Sequence, residues 1–366
     1  MRYIHELSTW PKLTINLEEI NTILGNARYT QGLFLGRLQS LGFDIQQDAT
    51  LETLTSDIVK SSEIEGENLN PEEVRSSIAH QLGINAKKFV APSRHVEGIV
   101  KMMLDATQNY QNILTEERIC TWHFDLFESS PAIMTIGAYR STQEPMEVIS
   151  GAYGRKKVHF TAPASNKVPD EMAIFLDWFN HSDSIDPYIK AAMAHFWFVT
   201  IHPLEDGNGR IARAIADMCL ARADKTKQRF YSMSYQLRKE RSDYYKQLEL
   251  AQKGTLDITS WVKWFLECLS RALASADITL DKILHKAEIW GKLNHYSINE
   301  RQRKIINKLF DNFEGKLTTS KYAKITKCSE DTALRDIKKL INYGVLYQSE
   351  GVTKKSSYLV VSRKGM

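Results

Sequence analysis

The 366-residue sequence predicts a mainly α-helical fold of several domains, with one β-hairpin near its middle and a small mixed unit at its C-terminus. Three observations carry this. Apolar residues recur at helical spacing over long stretches, as in Ile99, Met102, Met103 and Ala106, while proline and glycine are sparse. Two short runs, 146–149 and 157–161, flank the glycine-rich Gly151-Ala152-Tyr153-Gly154 and read as a β-hairpin. After Ala274 the periodicity loosens, and Gly291-Lys292-Leu293-Asn294 marks a break before a separate unit.

Along the chain, a helical pattern beginning near Leu51 ends at Ser61-Ser62-Glu63-Ile64-Glu65-Gly66, with Gly66 suited to the cap. Beyond the hairpin, helices start at Pro169-Asp170-Glu171 and after Asp186-Pro187, where proline just inside the start lacks only a donor the helix does not use. From Tyr188 to Ile201 the segment is apolar nearly all round, the pattern of a central buried helix. A new helical pattern runs from Arg210 through Leu220. The expected division is 1–110, a helical domain carrying the 51–66 helix; 111–275, a central core; 276–297, a connecting helix or linker; and 298–366, the C-terminal unit.

Composition bounds the class. With 43% hydrophobic and 25% charged residues the chain reads as a water-soluble globular protein. Cys120, Cys219, Cys268 and Cys328 are dispersed and never form a CxxC pair, which argues against a disulfide framework or structural zinc and for a reducing cytoplasm. The first residues lack an apolar core with a small-residue cleavage site, so the expectation is a cytoplasmic protein. The most apolar run, 191–201, is about half a membrane span, and no membrane association is expected. The net charge of +4 is unevenly placed: residues 297–366 carry roughly +8 and the remainder roughly −4.

The junction between the buried helix and its successor holds the chemistry. His202-Pro203-Leu204-Glu205-Asp206-Gly207-Asn208-Gly209-Arg210 places a glycine-containing turn at a helix N-terminus, where unpaired amides and the helix dipole favour an anion. Gly207 and Gly209 let a phosphate approach the backbone. Arg210 and Arg213 lie three residues apart in the first turn and can hold further phosphate oxygens. Asp206 offers a hard oxygen to magnesium, and His202 a base for an attacking hydroxyl. Together these groups describe phosphoryl or nucleotidyl transfer.

The run from His202 to Arg213 resembles the signature of the Fic family, usually HPFx(D/E)GNGRxxR. The resemblance implies a helical Fic core that transfers AMP from ATP to a Ser, Thr or Tyr hydroxyl of a protein, with Mg2+ as cofactor. In it His202 is the general base and Asp206 holds the metal. The ATP site comprises Glu65, His202, Gly207, Asn208, Gly209, Arg210, Ile211, Ala212, Arg213 and Tyr244. Leu204 replaces the usual phenylalanine and keeps the apolar anchor of the loop. The hairpin matches the family's flap, with Val148, Ile149, Val158 and His159 placed to dock a target segment by strand addition. Arg241-Ser242-Asp243-Tyr244-Tyr245 resembles the aromatic stretch that closes over the base in many relatives; a tyrosine pair packed between helices is the alternative.

Ser61, Glu65 and Gly66 map onto the family's inhibitory motif, (S/T)xxxE(G/N). A Glu65 carboxylate can pair with Arg213, the arginine the γ-phosphate needs. In some relatives this glutamate instead helps remove AMP, and both roles stay open. The C-terminal unit, with helices expected at 299–313, 320–325 and 329–342 and strands at 345–347 and 358–361, resembles a winged helix-turn-helix. Arg335, Lys338, Lys339, Lys354 and Lys355 suit phosphate contacts, whereas Glu330 and Asp331 oppose them, so docking to DNA and docking to protein both stay open. Implied partners are a protein substrate, the chain itself by self-modification and, as in some relatives, a second copy. Transfer of phosphate or UMP, and a DNA-binding regulator whose core senses nucleotide, are the alternatives.

Overall fold

The computed structural model describes residues 3–39, 42–84, 89–129, 134–150, 157–182, 184–228, 230–310, 313, 315–349 and 356–362. The chain forms two compact units, Met1–Ala276 and Asp277–Met366.

In the first unit the order is α1 (Leu17–Gln39), α2 (Phe43–Ile64), α3 (Pro71–Gln81), α4 (Arg94–Gln108), α5 (Glu116–Phe127), β1 (Glu147–Ser150), β2 (Lys157–Thr161), α6 (Val168–His181), α7 (Pro187–Ile201), α8 (Asn208–Asp224), α9 (Met233–Lys239), α10 (Arg241–Gln252) and the first half of α11 (Thr259–Leu293), whose second half belongs to the second unit. Side-chain caps set several starts: Asn70 accepts from the Glu72 amide, Thr115 from that of Arg118 and Asp186 from that of Tyr188. Helix α7 is buried from Tyr188 to Ile201, as its apolar surface requires. It packs on α8, and α8 in turn meets α2, α4 and α5. Trp261 of α11 donates its indole N–H to Ala192 O at 2.8 Å, tying α11 to the middle of α7.

One expectation changes here. The helix carrying Glu65 begins at Phe43 rather than near Leu51, because the stretch before Leu51 is still helical. Residues 1–110 and 111–275 lie within one compact unit, and N-terminal residues bond directly into the rest of it. Trp10 donates to Glu171 at 2.6 Å, Thr14 bridges to Asp257, and Asn16 N donates to Thr259 Oγ1 at 2.8 Å. The stretch 276–297, expected as a connecting helix or linker, is largely the second half of α11, and Ile289 and Leu293 belong to the core of the second unit.

β1 and β2 pair antiparallel with a register shift at Val148/Ile149. The turn at Gly151–Gly154 lies outside the described residues. The second unit continues with α12 (Glu300–Phe310), β3 (Leu317–Thr318), α13 (Thr319–Thr326), α14 (Glu330–Asn342), β4 (Leu346–Ser349) and β5 (Ser357–Val360), in a sheet ordered β3-β5-β4. The short β3 has no counterpart in the sequence reading: two residues are too few for an alternating pattern. Ser329 caps α14 through the Thr332 amide, and Gly351, Lys354 and Lys355 lie outside the described residues. Among the described residues no helix is long and apolar enough to cross a membrane. All four cysteines are free, and burial pushes the Cys219 thiol up to about 12.

Candidate active site

The chain leaves α7 at His202, a non-glycine residue in the left-handed region at φ 52°. Such a conformation costs about 1–3 kcal/mol and persists only where neighbours enforce it. Arg140 does so here. Its backbone amide donates to Pro203 O at 2.9 Å, its Nε to His202 O at 2.7 Å, and an Nη to Pro163 O.

The His202 ring has a defined tautomer. Nδ1 lies 3.2 Å from Val199 O, and because a carbonyl only accepts, Nδ1 carries the hydrogen and Nε2 keeps a lone pair. Burial lowers the His202 pKa to about 4, with Arg140 adding to the effect, so the ring is neutral at pH 7. A neutral imidazole with a free Nε2 is the form a general base requires.

The loop beyond His202 is held from within. Leu204 is fully buried, and Asn208 clamps its backbone: Oδ1 accepts from Leu204 N at 3.0 Å and Nδ2 donates to Leu204 O at 2.8 Å. Glu205 accepts from the amide and hydroxyl of Thr135 at 3.1 and 2.8 Å. Gly207, at φ 78°, makes the left-handed turn into α8. The Ile211 amide donates to Gly207 O, which leaves the amides of Asn208, Gly209 and Arg210 without an intrahelical acceptor at the helix N-terminus.

The predicted ATP residues thus divide. Gly207, Asn208, Gly209 and Arg210 frame the amide cradle, although the Asn208 side chain is spent on Leu204. Ile211 and Ala212 are fully buried and contribute packing beneath it, with no polar side-chain group to offer. Asp206 is exposed, and its contacts to Gly207 N at 2.6 Å and Arg210 Nη2 at 3.9 Å both use Oδ1.

Both arginines are buried and each is partly paired, with Arg213 Nη1 left without a hydrogen-bond partner. Arg213 donates from Nε to Ser61 Oγ at 2.9 Å and from Nη2 to Ser61 O at 3.0 Å, and the same Nη2 lies 2.8 Å from Glu65 Oε1. Burial acts to lower the Arg213 pKa, but the Glu65 carboxylate together with Tyr244 and Tyr245 outweighs it and the net direction is upward. Glu65 is the C-cap of α2, followed by Gly66 at φ 86°. A Cβ on Gly209 would collide with Glu65 Oε1, so this carboxylate lies directly over the amide cradle. Ser61, Glu65, Gly66 and Arg213 are therefore assembled at one place.

A second pair has no counterpart in the sequence reading. Arg210 stacks on Phe127 at 4.8 Å and donates from Nη1 to Glu67 Oε2 at 3.1 Å, while Glu67 Oε1 is bound by His95 Nε2. Burial works against ionisation of Glu67, but His95 and Arg210 hold its carboxyl below the usual range.

Tyr244 is wholly buried, its hydroxyl 2.9 Å from His195 Nε2 and its ring stacked on Trp264, and it also interacts with the Arg213 guanidinium. Its neighbour Tyr245 is the partly exposed one, with Arg241 over its ring and its hydroxyl 3.5 Å from Ile64 O. On the hairpin, Ile149 and Val158 are 46% and 38% exposed and Val148 is half-buried. His159 instead spends both ring nitrogens, on Glu249 at 2.7 Å and Ser150 at 2.6 Å, and ties the hairpin to α10. Lys253 and His159 together hold the Glu249 carboxyl down at about 2.

Comparison with known proteins places these elements. Residues 113–220 match the Fic/DOC family model, and residues 3–84, which include Ser61 and Glu65, match a domain of unknown function, DUF4172. The chain is 27% identical over 230 residues to the protein adenylyltransferase Fic of Drosophila virilis, covering 62% of this chain and 43% of that one. The corresponding protein of Drosophila melanogaster is 26% identical over 231 residues, covering 62% and 42%. The chain therefore spans less than half the length of these relatives. In structure it is similar to a Fic family protein from Desulfovibrio desulfuricans, with a TM-score of 0.55 and 20% identity over 97% of this chain and 99% of that one. A Fic domain containing signaling protein from Bacteroides thetaiotaomicron aligns with a TM-score of 0.51 and 21% identity over 69% and 95%. The Fic/DOC family model ends within α8 and takes in the whole helix–loop–helix junction at His202, so this segment of the chain, 113–220, is similar to the Fic/DOC family.

Proposed function

We propose that this chain is a protein adenylyltransferase that moves AMP from ATP onto a Ser, Thr or Tyr hydroxyl of a protein, restrained by Glu65. The observation that carries it is the neutral His202, with Nε2 unprotonated, beside a helix N-terminus flanked by two buried arginines. The name shared by the relatives above supports the same group transfer.

In the reaction, the target hydroxyl gives its proton to His202 Nε2 as its oxygen attacks the α-phosphorus. The bond from that phosphorus to the bridging oxygen breaks, and pyrophosphate leaves against the amides of Asn208 to Arg210 and the guanidinium groups of Arg210 and Arg213. Asp206 fits a magnesium ion: it is exposed, and its recorded contacts use one oxygen only. Among the described residues no three His, Cys, Asp or Glu side chains cluster to hold a metal, so phosphates and water would complete the shell, as magnesium prefers. The ion would neutralise charge on the departing phosphates. With Glu65 on Arg213, the γ-phosphate lacks its arginine. Ile149 and Val158 on the hairpin are the surface offered to an extended target segment.

Labelled nucleotides test the group transferred. With magnesium and a lysate, label from the α-phosphate of ATP should enter protein, and label from the γ-phosphate should not. Entry of γ-label would instead mean phosphate transfer, and preference for UTP would mean UMP transfer.

The second unit favours nucleic acid as its partner. Helices α13 and α14 meet at Lys327, and Lys324, Lys327, Arg335, Lys338 and Lys339 are exposed along them, with Glu330 and Asp331 the opposing charges. Duplex DNA should bind with an affinity that falls steeply with salt, and Lys338→Glu with Lys339→Glu should weaken it about tenfold or more. Binding unchanged by that double substitution contradicts this assignment.

A further inference from the structure

We propose that Glu67 is a second determinant of nucleotide binding at this site, occupying Arg210 as Glu65 occupies Arg213, so that the turn Glu65-Gly66-Glu67 competes with a nucleoside triphosphate at both arginines. The inference rests on the nucleotide-binding reading above and assigns a role to a residue outside the inhibitory motif.

Geometry supports it in three ways. First, Arg210 has little freedom to leave: it is 5% exposed, one ring face of Phe127 lies 4.8 Å from the guanidinium, and its Nε is buried without a partner. It can reach a phosphate only through its two Nη groups, and Nη1 is on Glu67 at 3.1 Å. Second, Glu67 is braced. His95 of α4 holds its other oxygen, and its backbone amide donates to Ser62 O at 3.0 Å. Third, the two carboxylates share that anchor, because the Glu65 amide also donates to Ser62 O at 3.0 Å. A carboxylate and a phosphate chain use the same donor edges of a guanidinium, so one must leave for the other to bind.

The alternative is that Glu67 only orients Arg210 for the phosphate. The two roles predict opposite signs. If Glu67 competes, Glu67→Gln tightens magnesium-ATP binding by about fivefold, in the wild-type and in the Glu65→Gly background alike. Binding of AMP, which lacks the β- and γ-phosphates, should not change. Isothermal titration of ATP and AMP reads both numbers, and a thermal melt reads the fold. Should the glutamine variant melt early, Glu67→Asp, too short to reach Arg210, reads the same quantity.

Unchanged or weaker ATP binding by a folded variant overturns the proposal, as does equal tightening of AMP. The chemistry is scored separately. If Glu65→Gly labels no protein while Glu67→Gln still tightens ATP, the transfer reading fails and this one stands. If Glu65→Gly labels protein and Glu67→Gln leaves ATP binding unmoved, the reverse holds.

Discussion

Replacing His202 with alanine is expected to lower AMP transfer by about 10²–10⁴-fold, the range a general base contributes, with nucleotide affinity nearly unchanged. The asymmetry follows from the site. His202 ends α7 and its hydrogen bonds go to Phe198, Val199 and Arg140, whereas the amides and arginines proposed to bind ATP belong to α8. The rate should also carry a pH signature. Because burial depresses His202 to about 4, the ring stays unprotonated across the range in which a free histidine titrates. Transfer should therefore hold level as pH falls through 6.5 and collapse only near pH 4. A rate limb near 6.5 would place the base elsewhere, or show that bound nucleotide restores its usual value. Comparing the profile for transfer at saturating ATP with the ATP dissociation constant over the same range separates the two.

Glu65→Gly carries the second large effect and the opposite sign. The Glu65 carboxylate sits 2.8 Å from Arg213 Nη2 and against Gly209, so its removal takes the counter-charge off the guanidinium and uncovers the amide cradle. If Glu65 restrains the site as proposed, its removal should raise activity by roughly 10- to 100-fold. Arg213 is not orphaned, because Ser61 still accepts from Nε and Nη2, and the variant should remain folded with a modest loss of about 1–2 kcal/mol. Wild-type protein, with Arg213 closed, should look nearly inactive under the same conditions. A Glu65→Gly protein no faster than wild type, with an unchanged melting temperature, would mean that this pair does not limit the reaction.

Much of the architecture was legible because it rests on local rules. The all-round apolar surface of 188–201, the Asp186-Pro187 start and the glycine turn at 207 each require only a few neighbouring residues, and in the structure His202 ends α7, Asp206 lies in the loop and Arg210 and Arg213 lie on α8. The Ser61–Gly66 stretch was legible only through its likeness to a known motif, since nothing local says that a carboxylate on α2 meets an arginine on α8.

What escaped is what depends on distant partners. Arg140 grips the His202 and Pro203 carbonyls from about sixty residues away, and a lone arginine after a loop carries no sign of that. Glu67 and His95 each lack periodicity or spacing that would link them to Arg210. Tyr244 and Tyr245 differ by about 100° around α10, so their neighbours turn on the helices packed against it: Tyr244 meets His195, Trp264 and Arg213, and Tyr245 is the partly exposed ring. His159 alternates as a flap residue should, yet Glu249 on α10 captures it.

The most direct measurement is incorporation of α-phosphate label from magnesium-ATP into protein by the Glu65→Gly chain, set beside the Glu65→Gly/His202→Ala chain at matched nucleotide occupancy. Strong labelling by the first and background labelling by the second is the predicted result. Equal labelling by both would remove His202 from the chemistry, and no labelling by either, with ATP bound, would contradict the assignment of this loop to AMP transfer.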